Sequence, residues 1–260
     1  MYPYLYIVLP TYAVLAFVGG FAAVVMTFYR TSRYQMDFYD FMKALIFCII
    51  GGVIGSKLLF VMTNIPHLIQ NFTFFNLLET IAQSGFVYYG GLFGVLLGIY
   101  IYINRNKKYN LTHIYNMIAP AIPLFHGFGR IGCLFAGCCY GIELKQPIVF
   151  MNVVRINRVP TQLLEALFEF LLCGGILMIE KKKSSDNLLR IYLITYGIFR
   201  FVMEFFRGDE IRGIFFGFST AQWISVGILT YFVCGYIKSE KGISKANCLG
   251  KLYKGGKENV

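Results

Sequence analysis

Seven apolar runs, each close to the length that crosses a bilayer, leave this chain little choice of fold. They lie at roughly 6–28, 40–62, 86–104, 112–128, 161–180, 188–207 and 220–237, and a helix needs about 20 residues to span the hydrocarbon core. The fourth is the shortest. Hydrophobic residues make up 57% of the chain and charged residues 14%, poor material for a soluble surface and ordinary for a multi-span membrane protein. Of the 24 Lys and Arg residues, 15 gather in four short clusters. These are Arg30 and Arg33, Arg105 with Lys107 and Lys108, Lys181 to Lys183 with Arg190, and a tail from Lys238 to Lys257. Basic flanks mark the cytoplasmic side, which sets the N-terminus outside and the C-terminus in the cytoplasm. The alternation holds at every connection: residues 64–84, on the outer side, hold no Lys or Arg. The net charge of +11 therefore faces anionic lipid. A nucleic-acid surface would interleave its basic residues along one face, so nucleic acid is not an expected partner. No basic n-region precedes the first run, which reads as a retained span.

The expected fold is thus an all-α integral membrane protein, with residues 1–238 as one polytopic domain and 239–260 as a basic, disordered cytoplasmic tail. Residues 65–82 are apolar but interrupted by polar side chains, and read as an interfacial helix on the outer leaflet. Gly90, Gly94 and Gly98 recur every fourth residue, which lets the third span approach a neighbour closely.

Charge inside spans costs about 2.5–3.5 kcal/mol per residue on insertion scales and marks functional candidates. The stretch from His126 to Gly141 follows an apolar run broken by Pro120 and Pro123 and carries Arg130, four further glycines and Cys133, Cys138 and Cys139. It reads as a glycine-rich break, tolerated at membrane depth only where protein or a water-filled cavity surrounds it, and Arg130 becomes the first anion-binding candidate. On the sixth run, Tyr196, Arg200, Glu204 and Arg207 fall at about 0°, 40°, 80° and 20° around a helix. Arg200 and Glu204 can pair at i,i+4, and the second arginine leaves a cation surplus suited to phosphate. On the fifth, Pro160-Thr161-Gln162 starts a helix and Glu165 sits where the helix dipole favours acid, so capping alone could account for it; Glu169 lies a turn deeper. Lys57 either snorkels to the interface or joins the anion pocket. His126 is a base or a satisfied packing residue. The cysteines lack the C-x2-C pairs of zinc sites, and read as small residues of a tight loop or as a redox pair.

Together these segments resemble the prolipoprotein diacylglyceryl transferase family, seven-helix bacterial membrane enzymes, over nearly the whole chain and in order. Tyr12 occupies the place of an early aromatic-Tyr-Gly. Gly-Val-Ile-Gly-Ser-Lys, ending at Lys57, is similar to Gly-x-x-x-Gly-x-Arg, and Tyr88 to Gly91 to His-Gly-Gly. Ala-Pro-Ala-Ile-Pro followed by Gly129-Arg130-Ile-Gly132 and closing at Gly141 resembles the approach to the signature loop. Pro160-Thr161-Gln162-Leu-Leu-Glu165 resembles Pro-Ser-Gln-Leu-Tyr-Glu, and Tyr196 to Arg207 is nearly the late-span motif. Ser219-Thr-Ala-Gln222-Trp is similar to the opening of the last helix. The departures are in the loop, where Cys133 and Ala136 stand for two Asn and Cys138 for a Glu, and at Tyr89 and Lys57, which stand for a His and an Arg.

What the resemblance implies is transfer of the diacylglyceryl group of phosphatidylglycerol to the thiol of a lipobox cysteine in prelipoproteins, with release of glycerol phosphate, in the bacterial cytoplasmic membrane. No metal or organic cofactor is called for. On this reading Arg130, Arg200, Tyr196, Glu204, Tyr89 and His126 carry the chemistry. Gly129, Gly132, Gly141, Tyr12, Lys57, Gln162, Glu165 and Arg207 join Arg130 in binding the lipid and the other substrate. With the family's His replaced, the group that deprotonates the thiol stays open among Tyr89, His126, a loop cysteine and the arginine field alone. A relative that binds or moves phospholipid without catalysis, or passes the lipid group to another acceptor, would share the arginine pocket. The topology is testable at once: reporter fusions after Arg33, Lys108, Lys183 and Lys245 are expected to score cytoplasmic, and fusions near residues 72 and 150 outside. A cytoplasmic score within residues 129–158 would place the arginine loop on the wrong side for this reading.

Overall fold

A computed structural model describes residues 4–5, 9–70, 87–150, 154–182, 187–208 and 214–235. Among them the seven apolar runs reappear as helices: α1 Thr11–Thr31, α2 Phe38–Gln70, α3 Tyr88–Asn106, α4 Leu111–Ile118, α5 Ala121–Ala136, α6 Thr161–Lys182, α7 Leu188–Met203 and α8 Thr220–Gly235. The fourth run is built as two helices. Pro120 has no N–H to donate, so α4 ends at Ile118 and α5 restarts at Ala121. Four segments, Thr11–Thr31, Phe38–Thr63, Leu111–Ala136 and Thr161–Lys182, are long and apolar enough to cross a membrane. The protein is a helical membrane protein by this measure, and the described residues include three short antiparallel strand pairs: Tyr4–Leu5 with Leu9–Pro10 ahead of α1, Glu143–Phe150 with Val154–Arg158 between α5 and α6, and Ile214–Phe215 with Phe218–Ser219 between α7 and α8.

Two expectations change. The stretch from His126 to Ala136 is helical, so Arg130 projects from a regular helix and not from a glycine-rich break. Two of its glycines serve packing: a Cβ on Gly127 would stand 2.8 Å from the Phe170 ring, and one on Gly132 3.0 Å from Tyr12. Only at Gly137, with φ of 75°, does the backbone turn left-handed and the helix stop. The interfacial helix expected over 65–82 is also different in part, because residues 65–70 continue α2. Residues 71–86 and the tail 239–260 lie outside the described residues.

Membrane helices gain nothing hydrophobic by touching one another, since lipid is as apolar as they are; close backbone approach and polar contacts hold them. The glycine stripe on α3 meets a second one on α2. A Cβ on Gly94 would lie 2.0 Å from the Gly51 carbonyl oxygen, one on Gly55 2.4 Å from that of Gly90, and one on Gly98 2.3 Å from that of Phe47. Away from this seam α2 turns Ile49, Ile54, Leu58 and Met62 outward, as α1 does Phe17 and Phe21. Polar side chains go inward instead: Arg30, His126, Arg130, Glu165, Glu169, Arg200 and Glu204 are all buried.

Helix α6 links two polar clusters at opposite ends of the bundle. Near its C-terminus Glu180 takes Arg30 bidentately, one contact at 2.9 Å, and accepts from Tyr34 at 2.7 Å, while Arg30 also donates to the carbonyls of Met117 and Asn116. Near its N-terminus lie Glu165, Glu169 and the residues described below. The 22 residues of α6 rise about 33 Å, roughly the thickness of the hydrocarbon core.

The seam predicts opposite signs for one kind of substitution. Gly94→Ala drives a Cβ into backbone that cannot swing aside, and is expected to destabilise by about 1–3 kcal/mol or more. Gly174→Ala meets nothing within 4 Å and should gain about 0.5–1 kcal/mol from helix propensity. Thermal unfolding of the detergent-purified variants measures both.

Candidate active site

Helices α5, α6 and α7 each contribute one face to a buried polar cluster. On α5, His126, Arg130 and Cys133 follow at i, i+4 and i+7, one stripe along the helix. Glu165 and Glu169, also i,i+4, face them from α6, Tyr196 and Arg200 come from α7, and Glu204 from the 3-10 turn Glu204–Phe206 that continues it. At the centre the Glu165 carboxylate sits between two guanidinium groups. Its Oε2 pairs with Arg130 Nε at 2.5 Å, an ion pair without hydrogen-bond alignment, and its Oε1 accepts from Arg200 Nη1 at 2.9 Å. Arg200 Nη2 reaches Glu204 Oε2 at 2.7 Å, the i,i+4 pair expected. The cation surplus read from α7 alone is thus met by α6: Glu165 is no mere cap but the bridge between the two arginines. Helix capping could be seen in the sequence; a partner 35 residues away on each side could not.

His126 is held at both ring nitrogens. Nδ1 lies 2.7 Å from Glu169 Oε1, and Nε2 lies 3.1 Å from Arg130 Nε. An arginine only donates, so Nε2 is the acceptor and the proton sits on Nδ1, donated to Glu169. The His126 ring stacks on Tyr88 with centroids 3.6 Å apart and 10° between planes, and meets Tyr196 edge-on at 5.4 Å. Tyr88 went unmarked in the sequence beside Tyr89, and the fold reverses their weight. The Tyr89 hydroxyl is bonded to Ser225 Oγ of α8 at 2.8 Å, away from the ion pairs. Arg130 uses Nε alone for its contacts, and its two terminal nitrogens make no hydrogen bond among the described residues. The second oxygen of Glu169 is buried and likewise has no hydrogen-bond partner among them.

The segment after Gly137 closes one end of the cluster. Gln162 Nε2 donates to the Cys138 carbonyl at 2.7 Å and Thr161 Oγ1 to the Cys139 carbonyl at 2.9 Å. Gly141 bridges to Arg207 and donates to the Val159 carbonyl at 3.2 Å. A Cβ there would meet that oxygen at 2.4 Å. Tyr12 packs on Gly132, whereas Gly129 touches nothing within 4 Å on its Cβ side. Lys57 is half-buried on α2, a helix that packs chiefly on α3. Spacing had set the cysteines apart from metal sites, yet the fold gathers them: the sulfurs of Cys133, Cys138 and Cys139 all lie within 4.8 Å of one another. Hydrogen bonds from the Cys133 and Cys138 thiols, with Arg130 and Arg207 nearby, hold the Cys139 thiol well below its ordinary range. These three are the described residues able to hold a metal ion.

The chemistry of the arrangement is electrostatic. Two fixed guanidinium groups share one carboxylate in an apolar bundle, with a third arginine, Arg207, buried at the loop. Such donors suit a phosphate ester. Comparison with known proteins points the same way. The profile of the family described as "Prolipoprotein diacylglyceryl transferase" matches residues 4–238. A phosphatidylglycerol--prolipoprotein diacylglyceryl transferase from Clostridium tetani is 34% identical over 222 residues, 83% of this chain and 87% of that protein. A second, from Clostridium perfringens, is 35% identical over 72% of this chain and 74% of its own length. One from Dehalococcoides mccartyi is 27% identical over 93% of both. With the family profile spanning nearly all of the described helices, this chain belongs to the prolipoprotein diacylglyceryl transferase family.

Proposed function

We propose that this chain transfers the diacylglyceryl group of phosphatidylglycerol to the lipobox cysteine thiol of prelipoproteins, releasing glycerol phosphate, at the outer face of the bacterial cytoplasmic membrane. The observation that carries the reading is the pair of arginines held on one carboxylate, Arg130 and Arg200 on Glu165. As the bond from glycerol carbon to phosphate oxygen breaks, a second negative charge grows on the leaving phosphate. Only interactions that strengthen with that charge speed the step. Guanidinium groups fixed beforehand provide them without reorganising, most effectively where water is excluded. Glu165 sets the spacing of the two arginines. His126, its tautomer fixed by Glu169, positions Arg130 through Nε and leaves the terminal fork of Arg130 for the phosphate. Tyr88 and Tyr196 keep the His126 ring in place. Gly141 and Arg207 hold the loop over this end of the bundle. Seven spans and the cytoplasmic placement of the basic clusters belong to the same proposal.

Arg130→Lys and Arg200→Lys keep the charge but replace a planar fork by a point donor. Each is expected to lower transfer by about 10²–10³-fold while the protein still inserts and folds, and Arg207→Lys to do so less. The assay is thioether-linked lipid formed on a reporter prelipoprotein, by purified enzyme and in a strain depleted of its transferase. A double Lys variant working near the wild-type rate would remove the phosphate assignment. Glu169→Gln tests the positioning role: the amide can still accept from Nδ1–H but no longer supports the imidazole with charge. Transfer should fall while inhibition by an added thiol acceptor analogue stays unchanged.

A further inference from the structure

We infer that Cys133, Cys138 and Cys139 form a three-thiolate zinc site whose fourth position takes the thiol of the acceptor cysteine. This rests on the transferase reading above and supplies what that reading lacks, a means of making a thiolate. Tyr89 is committed to Ser225, and both nitrogens of His126 are engaged. The loop cysteines remain unused by the mechanism, and they converge. Tetrahedral zinc with Zn–S near 2.3 Å needs sulfurs about 3.8 Å apart. The three sulfurs here lie within 4.8 Å of one another, so side-chain rotations of under about an ångström close the set.

The surroundings suit an ion. Cys133 is fixed by the last turn of α5, Cys138 donates back to the Cys133 carbonyl, and Cys139 is turned by a φ of 60°. Thr161 and Gln162 anchor the carbonyls of the other two from the start of α6, so the ligand backbone is tied down as bound metal requires. Three thiolates on Zn²⁺ carry one net negative charge, with buried Arg130 and Arg207 beside it. Cys133 lies one helical turn from Arg130, which brings a metal-held sulfur near the phosphate donors. Three protein ligands with an open position are the pattern of a catalytic zinc, and a coordinating thiol is deprotonated outright.

The step balances. The acceptor S–H binds zinc as thiolate and its proton passes to water. The S–C bond to the glyceryl carbon forms as the C–O bond to phosphate breaks, with the electron pair leaving on glycerol phosphate. The thioether product, a weak ligand, then leaves the ion. A loop cysteine acting as nucleophile itself would end in a stable thioether on the enzyme, from which nothing is transferred.

The test uses the full chain in detergent, Zn²⁺ and Co²⁺ as probes, and a synthetic lipobox peptide with its cysteine or with serine. One zinc per chain is expected. Cys133→Ser, Cys138→Ser and Cys139→Ser should each weaken zinc binding by at least about tenfold. In the cobalt-substituted wild type, sulfur-to-cobalt absorption should rise with the cysteine peptide and not with the serine peptide, a readout that needs no variant to fold. A disulfide among the three, zinc below stoichiometry after incubation with excess, or a cobalt spectrum blind to the peptide would overturn the site. Undiminished transfer by chelator-stripped enzyme would overturn the zinc step and leave the transferase standing. A chain that binds zinc and thiol peptide yet makes no thioether from phosphatidylglycerol vesicles would instead sink the transferase reading.

Discussion

A carboxylate clasped by two guanidinium groups inside an apolar bundle is the contact on which the rest of this structure turns. Each charge alone would be intolerable there, and removing one partner of a buried pair costs about 3–5 kcal/mol because the other is stranded. Glu165 serves both arginines at once, one with each oxygen, and Glu204 holds Arg200 from its other terminal nitrogen. Three helices are thereby held in a single relative position. The apolar contacts around them, interchangeable with lipid, could not fix that register by themselves.

The same reasoning accounts for how polarity is distributed. Large apolar side chains such as Phe17, Phe21, Ile49 and Leu58 face outward, and buried charge meets opposite charge: Arg30 with Glu180, Arg130 and Arg200 with Glu165, Arg200 also with Glu204. At the basic end, Arg30 and Glu180 satisfy each other and backbone carbonyls so fully that nothing is left to bind a ligand. At the other end the pairing is looser. Arg130 spends only Nε and Glu169 only one oxygen among the described residues. Similar chemical parts therefore make a closed staple at one end of α6 and, at the other, the cluster proposed as the site, and the difference is how many donors and acceptors are already used among the described residues.

Elements whose meaning lies within one helix were legible from the residues. The apolar runs became helices, Arg200 and Glu204 paired across one turn, Gly90, Gly94 and Gly98 made a packing seam, and Pro160-Thr161-Gln162 began a helix. What stayed hidden depends on which helix comes next to which. Glu165 has the spacing of a first-turn acid whether or not arginines from two other helices close on it. Tyr88 and Tyr89 differ by one residue, hence by about 100° around α3, and only the neighbours show that the first meets His126 and the second Ser225. Glycines misled for a related reason. In water, five of them near an arginine suggest a loop, but between membrane helices a missing Cβ is the usual means of contact. The gathering of the three cysteines was hidden for the same reason: a left-handed turn at Gly137 folds Cys138 and Cys139 back onto the end of α5, and linear spacing does not count that turn.

The stripe on α5 shows why the arrangement can serve a displacement at carbon. Such a reaction needs its leaving oxygen and entering sulfur on opposite sides of one carbon, each stabilised as an anion, and each kept from the other's partner. A single patch of cations would draw both anions together and hold them on the same side. Here Arg130 with Arg200 forms one locus and the three thiols another, separated by a helical turn, about 4.5 Å of rise between Arg130 and Cys133. On the proposed reading, the regular backbone of α5, where a loop had been expected, keeps the phosphate donor Arg130 and the thiol Cys133 one turn apart on one stripe.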